Sequence, residues 1–211
     1  EIGDCERVIG RIALHRATAQ DYHFLMNALA HFPKIKAVIA QHQSVDLLAV
    51  IANYLEDFSS LRALLNNALN DDFAKDWLIK KGFNESLDRM RSLIEDATTQ
   101  IMALEAQEQQ KTGINSLKIR YNQVHGYYIE ITKANLDSVP EYYKRQQTLV
   151  GKERYMIPEL QQLQHEITSA KNQVHVLEKE LFDSIKSTVH TSINALRKSV
   201  YALAHLDALL G

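Results

Sequence analysis

Residues 117–135, LKIRYNQVHGYYIEITKAN, and residues 142–160, YYKRQQTLVGKERYMIPEL, decide how the rest of this chain is read. In the first stretch the period is two. Leu117, Ile119 and Tyr121 alternate with Ser116, Lys118 and Arg120; Tyr127, Ile129 and Ile131 then alternate with Tyr128, Glu130 and Thr132. The NQVHG link between them is of hairpin length, and Val150-Gly151-Lys152-Glu153 can turn a second hairpin between Gln146–Leu149 and Arg154–Ile157. The expectation is an antiparallel sheet of about four strands, too small to be stable without support beneath it.

That support is written on either side. Leu87, Met90, Ile94, Ala97, Ile101 and Leu104 recur at steps of three and four, as do Leu163, Ile167, Ala170, Val174, Leu177 and Leu181. Two such stripes joined by a compact insert satisfy each other by running antiparallel, which carries residues 113–157 to the end of a helical arm. At the rise of an α-helix, about 25 residues reach roughly 35–40 Å. Asn84 is a good N-cap for the outgoing helix, with Glu85 and Asp88 at the positive end of its dipole, and Thr112-Gly113 ends it. Pro158, followed by Glu159, opens the return helix.

Charge separates the insert from the remainder. From Lys111 to Pro158 eight Lys and Arg oppose four acids, whereas the whole chain has a formal net charge of −2. A local basic excess on an acidic chain is the footprint of a polyanion contact, although charge alone fits a solvated surface equally well. Six of the nine tyrosines lie in the insert. Such aromatics can stack on unpaired bases, but Tyr121 and Tyr127 fall on the apolar face, which favours packing over stacking.

The two quoted stretches closely resemble the clamp region of bacterial MutS proteins, the recognition proteins of DNA mismatch repair. The flanks agree. IKKGFNESLD (79–88) looks like that family's I-x-x-G-(Y/F)-N-x-x-L-D at the start of the long lever helix, and SVYALAHLDALL (199–210) looks like the lever's end before the ATPase domain. DCERVIGRIALHRATAQD (4–21) resembles the lever segment with its Leu-Glu-Arg and R-A-x-P-R-D. The resemblance covers essentially the whole chain. Ala19 stands where the family commonly has Pro; Asn70–Lys80 is short and lacks a Gly-Gly pair, which leaves a strand there unassigned; Lys152 occupies a turn position more often held by a small residue.

The resemblance implies a mostly α fold, a helical lever bundle whose two long antiparallel helices carry a small antiparallel β clamp at the tip. Residues 1–112 and 158–211 would be the two parts of the lever, and residues 113–157 the clamp. It implies a fragment of a mismatch-repair ATPase that grips duplex DNA through sequence-independent phosphate contacts and couples that grip to an ATPase domain outside the chain. Implied partners are double-stranded DNA, a second copy of the full-length protein and a MutL-type protein, with ATP and Mg as cofactors of the full-length protein only. Candidate phosphate contacts are Asn122, Gln123 and His125 in the first hairpin turn, Gly151 and Lys152 in the second, and Lys118 and Arg120 on the polar strand face. Glu130 shares that face and offers an internal ion pair, while Arg154 fits a bracing role. Two other readings stay open: a coiled-coil arm that binds another protein through its tip, and a MutS-like paralogue acting in recombination.

Other chemistry finds little support. Gly151-Lys152 is followed by Glu153 and has no Gly five residues earlier, so it is not a phosphate-binding loop, and no enzymatic activity is expected of the chain itself. The nine histidines lack metal spacing. Phe83-Asn84-Glu85 matches the letters of the family's Phe-x-Glu mismatch wedge, but that wedge belongs to another domain, and here Asn84 fits a helix cap. Cys5 is the single cysteine, which argues for a reducing compartment and against a disulfide framework. No apolar run of membrane-spanning length and no signal-like start occur, so a bacterial cytoplasmic, DNA-associated setting is expected, and the start at Glu1 reads as that of an excised piece. Upstream, periodicity and caps place helices at Asp4–Leu14, Ala19–His31, from Pro33, Val45–Leu55 and Phe58–Leu69.

Overall fold

The structure is a computed structural model that describes residues 4–42, 46–71 and 77–210. Val45 and residues 72–76, on which a helix start and part of the short Asn70–Lys80 segment were expected, lie outside the described residues. The chain divides into two compact units: Glu1–Phe83 with Glu178–Gly211, and Asn84–Leu177.

The first unit is helical: α1 (Cys5–Ala13), α2 (Ala19–Leu29), α3 (Phe32–Ala40), α4 (Asp46–Tyr54) and α5 (Ser59–Ala68), completed by the last part of α7 (Pro158–Thr191) and by α8 (Ile193–Leu210). The expected helices are all present, shifted by one or two residues at their ends, the usual uncertainty of fraying turns. The absence of Pro at residue 19 does not blur the start of α2. The Asp21 carboxylate accepts from both the backbone N–H (2.8 Å) and the hydroxyl (3.0 Å) of Thr18, which fixes the first turn without it. Val8, Ile9, Ile12, Leu25 and Leu65 are buried, and Tyr22 meets Phe182 edge-on at 5.5 Å. Among the described residues Leu69 and Ile79 form one antiparallel bridge.

Two departures occur along the return path. The expected single helix is broken at Ser192, giving α7 and α8. Thr188 and Thr191 turn their hydroxyls back onto the carbonyls of Ser184 and Thr188, and Ser192 N–H drops to Val189, so local side-chain hydrogen bonds compete with the helical ladder. The buried stripe also changes phase. Ile167, Ala170 and Val174 follow the predicted heptad, but beyond them Glu178, Phe182, Ile185 and Val189 are buried and Leu181 is not. Successive steps of four rotate the stripe where α7 passes from one unit into the other.

The second unit holds α6 (Glu85–Thr112), the sheet and the first part of α7. Asn84 Oδ1 accepts Leu87 N–H at 3.0 Å, and Gly113 at φ 69° terminates α6 in the left-handed conformation. The letters Phe83-Asn84-Glu85 are therefore a helix start. Four antiparallel strands follow in the order β1-β2-β4-β3: β1 (Lys118–Asn122), β2 (Gly126–Thr132), β3 (Lys144–Leu149) and β4 (Lys152–Met156), with a 3-10 turn at Lys133–Ser138 between β2 and β3. One apolar core joins Ala97, Ile101 and Leu104 of α6, Leu160 and Ile167 of α7, and Ile129, Ile131 and Tyr155 of the sheet. The sheet thus rests on the helix pair that its own size requires. Within this core Glu108 is fully buried and accepts from Tyr142 Oη, Tyr143 Oη and Lys111 Nζ, each at 2.8 Å, which ties the segment before β3 to the last turn of α6.

Candidate nucleic-acid interface

Register assigns every strand residue to a face, because directly opposed residues in an antiparallel pair point the same way. Ile119 opposes Ile129, and Ile129 opposes Tyr155; these look onto the helices. Lys118 opposes Glu130, Arg120 opposes Tyr128, Arg154 opposes Glu130 and Lys152 opposes Thr132; these look outward. The outer face therefore gathers four cations from β1 and β4 around one carboxylate on β2.

Glu130 is the hub of that face. Its Oε1 lies 2.7 Å from Lys152 Nζ and 3.1 Å from Arg120 Nε. The carboxylate side chain is only 12% exposed, while Lys152 and Arg120 remain 45% and 56% exposed. The hydrogen bond from Lys152 holds the Glu130 carboxyl below its ordinary range, with the Arg120 and Arg154 charges adding to it, so it stays ionised. Arg154 lies with its guanidinium carbon 4.2 Å from the Tyr128 ring centroid and donates to Gln147 Oε1 at 2.8 Å. That geometry buries Tyr128 on the polar face and fits the bracing role expected of Arg154. Lys118 reaches around β1 to Glu105 of α6 at 2.8 Å. Burial alone would raise the Glu105 carboxyl, but the hydrogen bonds from Lys118 and from Ile119 N–H outweigh it and hold it low.

The sequence-predicted contacts do not form one cluster. β2 begins at the Asn122–Gly126 turn and ends beside Lys152, so the two hairpin turns lie at opposite ends of the sheet, separated by about 20 Å of strand. Asn122 Oδ1 is engaged by Val124 N–H at 2.7 Å, while Gln123 and His125 are exposed. This turn is tied to α7 by Tyr127 N–H donating to Gln164 Oε1 at 2.8 Å. Gly151, at φ 83°, forms the other turn beside a fully exposed Val150, and its carbonyl accepts Lys133 N–H at 3.0 Å. Lys118, Arg120 and Lys152 share the outer face with Arg154.

Two expectations need correction. Lys152 is not a free side chain on a turn: it begins β4 and is held by Glu130 across the sheet, because its register brings it diagonal to that residue. Tyr121 is not core. It is 56% exposed at the turn end of an edge strand, against Tyr127 at a ring distance of 5.0 Å and with Lys171 Nζ 5.9 Å from its ring. The Glu130-centred arrangement was signalled by a period-two acid flanked by basic strands, but its membership depended on which strands lie beside β2.

Chemically, the face offers cations without an acid–base pair or nucleophile aimed at a cavity. Exposed Lys and Arg side chains are the usual partners of phosphate oxygens. Among the described residues no group of three His, Cys, Asp or Glu side chains could hold a metal ion, and no helix is long and apolar enough to cross a membrane.

A family model described as MutS family domain IV matches residues 82–173. Across nearly the whole chain the sequence is similar to proteins named DNA mismatch repair protein MutS: 38% identical over 98% of the chain in Pelotomaculum thermopropionicum, 34% over 100% in Salinibacter ruber and 37% over 100% in Myxococcus xanthus. In each case the chain spans 24% of the relative's length. A four-stranded sheet set between two long helices, inside the matched range, is what the clamp resemblance implied. The chain belongs to the MutS family, with domain IV at residues 82–173 and the helical segments that flank it.

Proposed function

We propose that this chain is a lever and clamp region that grips duplex DNA through phosphate contacts made by the outer face of the sheet. The observation that carries the proposal is the gathering of Arg120, Lys152 and Arg154 on one face of an otherwise acidic protein, with Lys118 rooted beside them in register. The names of the relatives support DNA as the polyanion. Sequence-independent contact suits a grip that must tolerate any duplex, since phosphate binding carries no base information.

The turns add weaker contacts in this reading. Gly151 offers a backbone free of Cβ, and Gln123 and His125 offer polar tips at the other end. In the whole protein a second copy would supply a matching arm, a MutL-type protein would read the bound state, and α6 and α7 would link the sheet to an ATPase domain. ATP and Mg belong to that domain. The residues present here do not fit them, because Gly151-Lys152 joins two strands, whereas a phosphate loop joins a strand to a helix.

The test is a salt titration. Binding of matched and mismatched duplexes should be similar, and affinity should fall with salt at a log–log slope of about −0.9 per phosphate contact. Arg120→Gln with Lys152→Gln should weaken both duplexes equally and flatten the slope by about two contacts. Salt-independent binding, or a strong mismatch preference, would overturn the proposal.

A further inference from the structure

We propose that Glu130 is an internal competitor for the DNA phosphates, a carboxylate that occupies Arg120 and Lys152 in the free protein and so limits how tightly the clamp face can grip. The inference rests on the reading that this face meets DNA. Its physical basis is the geometry around Oε1: one oxygen serves both an ammonium at 2.7 Å and a guanidinium nitrogen at 3.1 Å. A phosphate oxygen seeking either cation meets the same lone-pair chemistry already satisfied there.

The arrangement differs from an ordinary surface ion pair. The acid is sheltered and fixed on a central strand, whereas both cations are long, half-exposed side chains rooted on the neighbouring strands. Lys118 and Arg154 sit directly opposite Glu130 on those strands, yet their polar ends are engaged by Glu105 and Gln147. Arg120 and Lys152 are therefore the two cations whose availability Glu130 governs. Phosphate must displace or share them, which subtracts from affinity at every site along the duplex and hastens release.

The experiment is a fluorescence-anisotropy titration of the 211-residue chain and its Glu130→Gln variant with a labelled matched duplex of about 30 base pairs, over a NaCl series. Glu130→Gln should bind roughly three- to tenfold more tightly at low salt, with a salt slope no shallower than that of the parent. In the Arg120→Gln/Lys152→Gln background the same change should give a much smaller gain. Should Glu130→Gln unfold the sheet by circular dichroism, Glu130→Thr, suited to an outward strand position, replaces it with the same expectation. Unchanged or weaker binding by a folded Glu130 variant would overturn the inference, as would an equal gain in the double-variant background. If removing Arg120 and Lys152 costs no affinity, the clamp-face reading itself fails; if it costs affinity while the Glu130 variants gain none, only the competitor role fails.

Discussion

The hydroxyl of Tyr143 donates to the fully buried carboxylate of Glu108 across 2.8 Å, linking the segment before β3 to the last turn of α6. Tyr143→Phe leaves that carboxylate short of one donor in a dry site. We expect a loss of about 1–3 kcal/mol in urea denaturation, with the larger loss for Glu108→Ala, which strands the buried Tyr143 hydroxyl and also releases the more exposed Tyr142 and Lys111.

The same cluster sets a pH window. Burial pushes the Glu108 carboxyl up, but the hydrogen bonds from Lys111, Tyr143 and Tyr142 outweigh it and leave it below 4.5, its ordinary value. A carboxyl whose folded value lies below the unfolded one stabilises at pH above the unfolded value and loses that contribution as pH falls through the folded value. Tyr142 behaves inversely: burial first and the hydrogen bond to Glu108 second push it up to about 12, so its contribution is full below its ordinary 10.0 and lost as pH rises through about 12. Stability measured against pH should therefore fall on both flanks. Glu108→Gln should flatten the acid flank and reduce the alkaline one.

Ile101 of α6 and Ile167 of α7 share one buried core, so an Asp at both positions places two charges where none can be solvated. The double substitution should cost several kcal/mol and remove the cooperative thermal transition of the second unit. An unchanged melting curve by far-ultraviolet circular dichroism would refute the packing of the two stripes.

Gly126 and Gly151 both have positive φ, 74° and 83°, but their surroundings differ. A Cβ on Gly126 would collide with the Gln164 amide, whereas one on Gly151 would meet open space. Gly151→Ala should cost about 1 kcal/mol from backbone strain alone, and Gly126→Ala should cost more, because Gln164 must also surrender Tyr127 N–H. Urea midpoints of the two variants measure the difference.

Tyr128 and Tyr121 reverse the roles their strand positions suggested. Tyr128 is 5% exposed beneath Arg154, so Tyr128→Ala should destabilise by about 2–4 kcal/mol, and Tyr121→Ala by much less. Denaturant midpoints again decide.

Most of the architecture was legible because it rests on short-range pattern. Asn84 and Gly113 announced the ends of α6, and alternation across Lys118–Thr132 announced two strands. What failed depended on neighbours distant in sequence. Strand order β1-β2-β4-β3 decides that Lys152 meets Glu130, and no local pattern reveals which strand lies beside β2. Leu181 fitted a heptad that the helix abandons when its neighbours change. The opposed turns follow likewise from pairing rather than composition, which explains why Asn122, Gln123 and His125 lie at the other end of the sheet from Gly151.

The strand order also leaves β1 and β3 at the two edges of the sheet, the places where an extended chain could add, although Glu105 of α6 already takes the Ile119 N–H of β1. Both are defended. β1 carries Lys118 and Arg120; β3 begins Lys144-Arg145-Gln146-Gln147 and is distorted by a register shift between Arg145 and Gln147. An incoming strand would have to desolvate those charges and match a bent ladder, so the basic residues that make this sheet attractive to a polyanion also keep it from polymerising with its own kind.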